Sequence, residues 1–222
     1  MHFYQRVVLR VLEAVMGKNP NKNNVNQKSV LHNESIFAKG AHVDTNNPGS
    51  DRLEEGWRHG LSPQQLSLDW IQAIQRLFLE GTGEEYFVGS IQSLPVPEWA
   101  GNFMLFDSEE TDPQSMRGLL WTAPFKQDTV RIVSFVLDAG ARGKGWGSIV
   151  WNQLVEQLLP EGYVNVQLEV RASNQRAIAF YRTRGLEIQQ ELHGYYRQGM
   201  GYMMRGKLQQ YHPNNDTPEH ED

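Results

Sequence analysis

The chain contains no cysteine among its 222 residues, which excludes disulfide scaffolds, thiolate metal sites, iron–sulfur clusters and cysteine nucleophiles together. Histidine is present but unpatterned. The seven, at positions 2, 32, 42, 59, 193, 212 and 220, include no pair spaced for one helix face, so no metal site is expected. Long apolar runs are missing too: Arg10 and Glu13 interrupt the most hydrophobic N-terminal stretch, short of the ~20 residues a membrane-spanning helix needs, and they spoil a signal peptide. An excess of positive charge is also lacking. The formal net charge is -5, whereas a protein built to neutralise nucleic-acid phosphates shows a basic footprint. The expectation is a soluble, cytoplasmic protein with no nucleic-acid partner and no integral membrane segment.

What is present suffices for one well-filled core, with 39% hydrophobic residues. Phe3, Val7, Val8, Val11, Leu12 and Val15 recur at helical spacing and predict an amphipathic helix over 2–16. It either packs on the domain or, through Arg6 and Arg10, touches a partner or a membrane surface. Residues 17–29 are rich in Asn and Lys and read as a linker, too poor in apolar surface to offset their ordering entropy. Residues 1–60 are therefore expected to be a helix plus a linker-like extension, with no first strand evident.

A single domain is expected over 61–208. Ser62-Pro63 and the stripe Leu66, Leu68, Ile71, Ile74, Leu77 and Phe78 predict a helix to about Leu79, ended by Gly81 and Gly83. Strand-like runs over 102–107, 118–125 and 129–137 predict an antiparallel meander. After Gly147 a helix is predicted, with Ile149, Val150, Leu154, Val155, Leu158 and Leu159 as its buried side. The period then changes: Val164, Val166, Leu168 and Val170 alternate with Asn165, Gln167, Glu169 and Arg171, which sets the two groups on opposite faces of a strand. Ser173 or Asn174 can cap a last helix, which runs to about Arg184 and stops at Gly185. A hairpin-like tail, broken by Gly199 and Gly201, leads to Leu208. Residues 209–222 are polar and expected to be a disordered tail.

The segment Val136 to Ser148 joins a predicted strand to a predicted helix and carries four glycines, at 140, 143, 145 and 147. Glycines let backbone N–H groups approach a ligand, and a helix N-terminus favours an anion, so the physical reading is a phosphate cradle. Arg142 and Lys144 would add charge-assisted contacts. Spacing separates the known cradles. A dinucleotide G-x-G-x-x-G from Gly145 would need glycine where Val150 stands, and a P-loop ending in Gly143-Lys144 would need glycine where Asp138 stands. The pattern that fits is R-x-x-G-x-G, as Arg142, Gly145 and Gly147.

A second segment reads Leu168-Glu169-Val170-Arg171-Ala172-Ser173-Asn174 and continues through Ala177 and Tyr181 to Gly185. With the first, it closely resembles the signatures of the GNAT acetyltransferase superfamily, R-x-x-G-x-G and L-E-V-R-x-S-N…A-x-x-x-Y-x-x-x-G-F. The resemblance is nearest to the ribosomal-protein alanine N-acetyltransferase branch and covers about residues 102–208. It implies an α/β (α+β) fold, a mixed twisted sheet flanked by helices, splayed into a V between the strand ending at Leu137 and the strand bearing Glu169. It implies acetyl-CoA as co-substrate. Backbone groups of Phe135, Val136 and Leu137 would bind the pantetheine arm. Arg142, Gly143, Lys144, Gly145, Trp146, Gly147 and Ser148 would hold the pyrophosphate, and Asn174 would bond the cofactor near its pantetheine. Glu169 would be the general base and Tyr181 the general acid.

Each assignment has a plain rival. Glu169 can be a solvated strand residue, Tyr181 a core aromatic and Asn174 a helix cap. The implied activity is acetyl transfer to a primary amine, for preference the α-amine of a protein or peptide N-terminus. Lysines, small amines and a catalytically silent acyl-CoA sensor are the alternatives. The chain departs from the branch at Leu186, where Phe is usual, and at Gln198-Gly199-Met200-Gly201-Tyr202, which replaces an acidic-alanine segment before the last strand. Determinants of the acceptor are expected in residues 57–61 and in the hairpin 193–201, where Tyr195 and Tyr196 can equally be core aromatics.

Overall fold

Backbone donors and acceptors must be paired once they are buried, and the β-like runs of this chain meet that demand in one sheet. The computed structural model describes residues 55–196 and 199–213. The helix expected over 2–16, the linker over 17–29 and residues 214–222 lie outside the described residues. Strands β1 (Gly56–His59), β2 (Phe103–Phe106), β3 (Met116–Lys126) and β4 (Thr129–Leu137) form an antiparallel series. β5 (Asn165–Arg171) lies parallel to β4, and β7 (Gly201–Lys207) sits between β5 and β6 (Glu187–Leu192). The order is β1-β2-β3-β4-β5-β7-β6, the expected mixed α/β sheet flanked by helices.

The helices follow from their caps and stripes. Helix α1 (Leu68–Thr82) buries Ile71, Ala73, Ile74, Leu77 and Phe78 and ends at Gly83, whose φ of 71° only glycine adopts freely. Ser62 does not start this helix as expected. It caps a separate 3-10 turn over Pro63–Gln65, in which Gln65 Oε1 accepts from the Ser62 N–H at 2.8 Å, and the chain straightens before α1. Helix α2 (Val88–Gln92) is too short for periodicity to reveal. Helices α3 (Trp146–Leu158) and α4 (Gln175–Arg182) flank β5, and α3 provides the crossover that a parallel pair requires.

Two apolar layers result. On one face Leu154 and Leu158 of α3 share a cluster with the strand residues Val130, Ile132, Val166 and Leu168; on the other Ile74 and Phe78 of α1 share one with Met104, Leu119 and Trp121. Val166, Leu168 and Val170 are buried as their alternation requires. Ile149 and Leu159 are not: they stand 43% and 40% exposed at the margins of the stripe, and Trp151 fills the phase between Val150 and Leu154.

Two boundaries also move. β1 precedes the expected domain start at 61, because its four residues Gly-Trp-Arg-His bury only Trp57 and show no apolar period. At the other end, 209–211 is bound along α3 instead of disordered. Trp151 Nε1 donates to the Gln209 carbonyl at 2.9 Å, while Asn152 exchanges two hydrogen bonds with the Tyr211 backbone, at 2.8 and 3.1 Å. Such pairings need partners far away in sequence. In β7, a Cβ on Gly206 would lie 2.5 Å from the Gly185 carbonyl oxygen and 3.0 Å from Leu186 Cα, both backbone. Gly206→Ala is therefore expected to lower stability by ~1–3 kcal/mol, measured as a lower urea midpoint at unchanged slope.

Candidate active site

β4 and β5 pair only from Thr129↔Asn165 to Ile132↔Leu168. Beyond that point β4 continues to Leu137 on β3 alone, and β5 continues to Arg171 on β7 alone. The strands have parted. The register of β3 against β4 slips between Trp121 and Thr122, so Val133 is an extra residue on β4 just where the pairing with β5 stops. The Asp138 N–H donates to the Arg117 carbonyl at 2.8 Å, which makes Asp138 and Val136 face β3. Phe135 and Leu137, of the other parity, turn their backbone groups into the opening. One of those groups is taken: the Leu137 carbonyl accepts from Arg142 Nε at 3.0 Å.

Strand alternation sets Gln167, Glu169 and Arg171 on one face of β5, while Val166, Leu168 and Val170 are buried on the other, toward α3 and α4. The Glu169 carboxylate is held. Oε2 accepts from Arg131 Nη2 at 2.7 Å and from Arg131 Nε at 3.0 Å, and Oε1 lies 3.4 Å from the Gln167 amide nitrogen. The Arg131 side chain is only 4% exposed, and its Nη2 also lies 3.4 Å from the Tyr195 hydroxyl. Removal of this guanidinium from water is offset by its two bonds to one carboxylate oxygen.

Tyr181 is 6% exposed and packs against Trp151 and Phe180, so it is a core aromatic. Burial pushes that phenol up from its ordinary range, an effect only partly opposed by the Arg184 cation, so Tyr181 stays a neutral donor at neutral pH. The phenol of Tyr196 is also pushed up, first by burial and then by Tyr195 and the Glu169 carboxylate, with Arg171 opposing. A Cβ on Gly201 would lie 2.5 Å from the Tyr196 ring, so glycine there is what lets the ring settle over the start of β7. Arg171, beneath the same ring at 5.2 Å, pairs with Glu84 in the loop between α1 and α2.

The glycine-rich loop behaves as its composition requires. Gly143 and Gly145 have φ of 78° and 86°, and no side chain caps the N-terminus of α3 at Gly145. The first amides of that helix are thus available to an anion, and the buried Trp146 indole N–H has no partner among the described residues. These donors fit a diphosphate. Gly147 serves packing, since a Cβ there would lie 2.9 Å from the Phe180 ring. Lys144 is exposed in the loop. Arg142 is directed elsewhere: besides the Leu137 carbonyl, it donates to the Gly81 carbonyl at 3.0 Å and so ties α1 to the loop. Asn174 caps α4, its Oδ1 accepting from the Ala177 N–H at 3.1 Å.

Sequence reasoning missed Arg131, Arg184 and the indole of Trp57, which donates to the Trp146 carbonyl at 2.9 Å. A charged residue amid the apolar run Thr-Val-Arg-Ile-Val was the available signal for Arg131. Arg184 lies just before the helix-ending glycine and is 3% exposed; burial lowers it to about 10, still protonated at neutral pH. Among the described residues there is no cluster suited to a metal ion and no helix long and apolar enough to cross a membrane.

The sequence matches the acetyltransferase (GNAT) family over residues 50–186, more than half of the chain. The chain belongs to that family and is an enzyme of the N-acetyltransferase class. Its fold is similar to that of Ard1 from Thermoplasma volcanium, with 24% identity, a TM-score of 0.59, and coverage of 70% of this chain and 99% of that one. The ribosomal-protein-S18-alanine N-acetyltransferase from Escherichia coli follows, with 21% identity, a TM-score of 0.55, and coverage of 72% and 98%. Arabidopsis thaliana Naa50, solved with the bisubstrate analogue CoA-Ac-MVNAL, has 16% identity, a TM-score of 0.51, and coverage of 68% and 97%. A search of curated proteins gives no match.

A lysine at position 142 lacks the fixed planar fork whose Nε and Nη2 reach the Leu137 and Gly81 carbonyls. Arg142→Lys is expected to cost ~1.5–3 kcal/mol in chemical denaturation and to weaken coenzyme A binding in calorimetry. Unchanged stability would mean that the bridge contributes nothing to the fold.

Proposed function

We propose that this enzyme transfers acetyl from acetyl-CoA to the α-amine of a protein or peptide N-terminus, in a domain running from β1 to the segment bound along α3. The observation that carries the proposal is the parted pair of strands. One wall presents backbone groups of Phe135 and Leu137 with no strand opposite them, the other bears Glu169, and the uncapped start of α3 lies beyond the end of β4. Acetyl-CoA supplies an activated acyl group as its thioester. The residues of the chain do the rest.

An α-amine, with an ordinary pKa near ~8, must shed a proton before it attacks a carbonyl, and Glu169 accepts it directly or through water. A backbone N–H in the opening stabilises the oxygen that becomes negative as the new C–N bond forms. As the C–S bond breaks, the nitrogen sheds its second proton to water. The sulfur leaves as a thiolate that accepts a hydrogen bond from the Tyr181 hydroxyl and is then protonated from solvent. The hydroxyl's raised affinity for the proton suits a hydrogen-bond donor better than a group that gives its proton away completely. The preference for a peptide α-amine is supported by the fold shared with Naa50, whose bound analogue joins coenzyme A to a peptide. Lysine and small amines are the competing acceptors in the assay.

One observation favours a second reading. Arg131 occupies one oxygen of Glu169, and a silent acyl-CoA sensor would need no free base. Thiol release from acetyl-CoA, followed over N-terminal peptides, lysine peptides and polyamines, separates the readings; binding without turnover on every acceptor selects the sensor. Glu169→Gln and Tyr181→Phe are each expected to lower kcat by ~10²-fold or more and to leave the affinity for acetyl-CoA nearly intact. Full turnover in either variant removes that residue from the mechanism.

A further inference from the structure

Arg184 is buried with no carboxylate partner among the described residues, an expensive arrangement unless other groups hold the charge. Three do. Nη1 donates to the Phe180 carbonyl at 2.7 Å, and the guanidinium carbon lies 3.4 Å from the centroid of the Phe180 ring and 4.1 Å from that of Tyr211. The other arm of the fork, Nη2, donates to Ser148 Oγ at 2.7 Å.

Ser148 stands in the first turn of α3, beside the uncapped amides. Its oxygen accepts from a cation, so its own hydrogen points elsewhere, and no acceptor among the described residues takes it. A hydroxyl polarised in this way donates more strongly. The Tyr211 ring, in turn, is fixed by the segment bound along α3, through the paired bonds with Asn152 and the Trp151 bond to Gln209. Ring, guanidinium and hydroxyl therefore form one chain from the C-terminal segment to the glycine-rich loop.

We infer that Arg184 and Tyr211 are positioning residues for the cofactor: Tyr211 holds the guanidinium, which directs the Ser148 hydroxyl at a diphosphate oxygen over the first turn of α3. This rests on the reading that this turn binds the diphosphate of acetyl-CoA. The role is separable from simple support of the fold, because it acts on one part of the ligand only.

The test compares the full chain with Arg184→Met and Tyr211→Ala, using acetyl-CoA and S-acetylpantetheine, which lacks the diphosphate. Each substitution is expected to lower the preference for acetyl-CoA over S-acetylpantetheine, read as the ratio of their kcat/KM values, by ~10-fold through KM. Tyr211→Phe, which keeps the ring, is expected to recover most of the loss. Should Arg184→Met fail to fold, Tyr211→Ala carries the test, since Tyr211 is only half-buried near the end of the described chain. An unchanged ratio in Tyr211→Ala, or equal losses on both thioesters, overturns the inference. Failure of the unaltered chain to bind coenzyme A overturns the cofactor reading itself, and this inference with it.

Discussion

A parallel pair of strands that stops pairing halfway leaves backbone groups without partners, and the rest of this molecule is arranged around that break. β4 and β5 each keep one satisfied edge, on β3 and β7, so neither strand unravels when they separate after Ile132 and Leu168. The extra residue at Val133 changes the direction of β4 at the same level. What the break leaves is an edge of β4 and an edge of β5 whose backbone groups face no neighbouring strand. A long, thin ligand with its own amide groups can replace the missing strand there.

Arginines make the long-range polar ties near these strands, although the chain as a whole is acidic. Arg131 holds Glu169 in place, Arg142 ties the end of β4 to α1, and Arg184 joins α4 to the first turn of α3. Each guanidinium engages groups that belong to different elements. Arginine suits this work because its donors are fixed in one plane and its charge persists when it is buried, as Arg184, which burial lowers only to about 10, illustrates. Lysine also has several donors, but they turn about one mobile nitrogen and fix the relative position of two elements less firmly.

The glycine-rich loop was legible because its chemistry is local. A strand, a run of glycines and a helix start are each encoded within a few residues, and the spacing of Arg142, Gly145 and Gly147 excluded the other cradles. The alternation around Glu169 was legible for the same reason: period two puts 166, 168 and 170 on one face wherever the strand docks. β1 was not, since four residues with one buried Trp carry no period, and its status as a strand depends on pairing with β2. The carbonyl bridge made by Arg142 was hidden as well, because its neighbours in sequence suggest a phosphate contact, while its partners include Gly81, 61 residues away.

By itself the sequence determined the long helices, the central strands and the glycine-rich loop, properties set by neighbours along the chain, while its resemblance to a family marked two candidate catalytic groups. Only the tertiary structure decided what those groups meet. The carboxylate of Glu169 faces a guanidinium from the adjacent strand, Tyr181 shares its surroundings with Tyr196, and 209–211 lies against α3. Those contacts join residues that are mostly tens of positions apart, and no local period or spacing encodes which distant side chain will arrive.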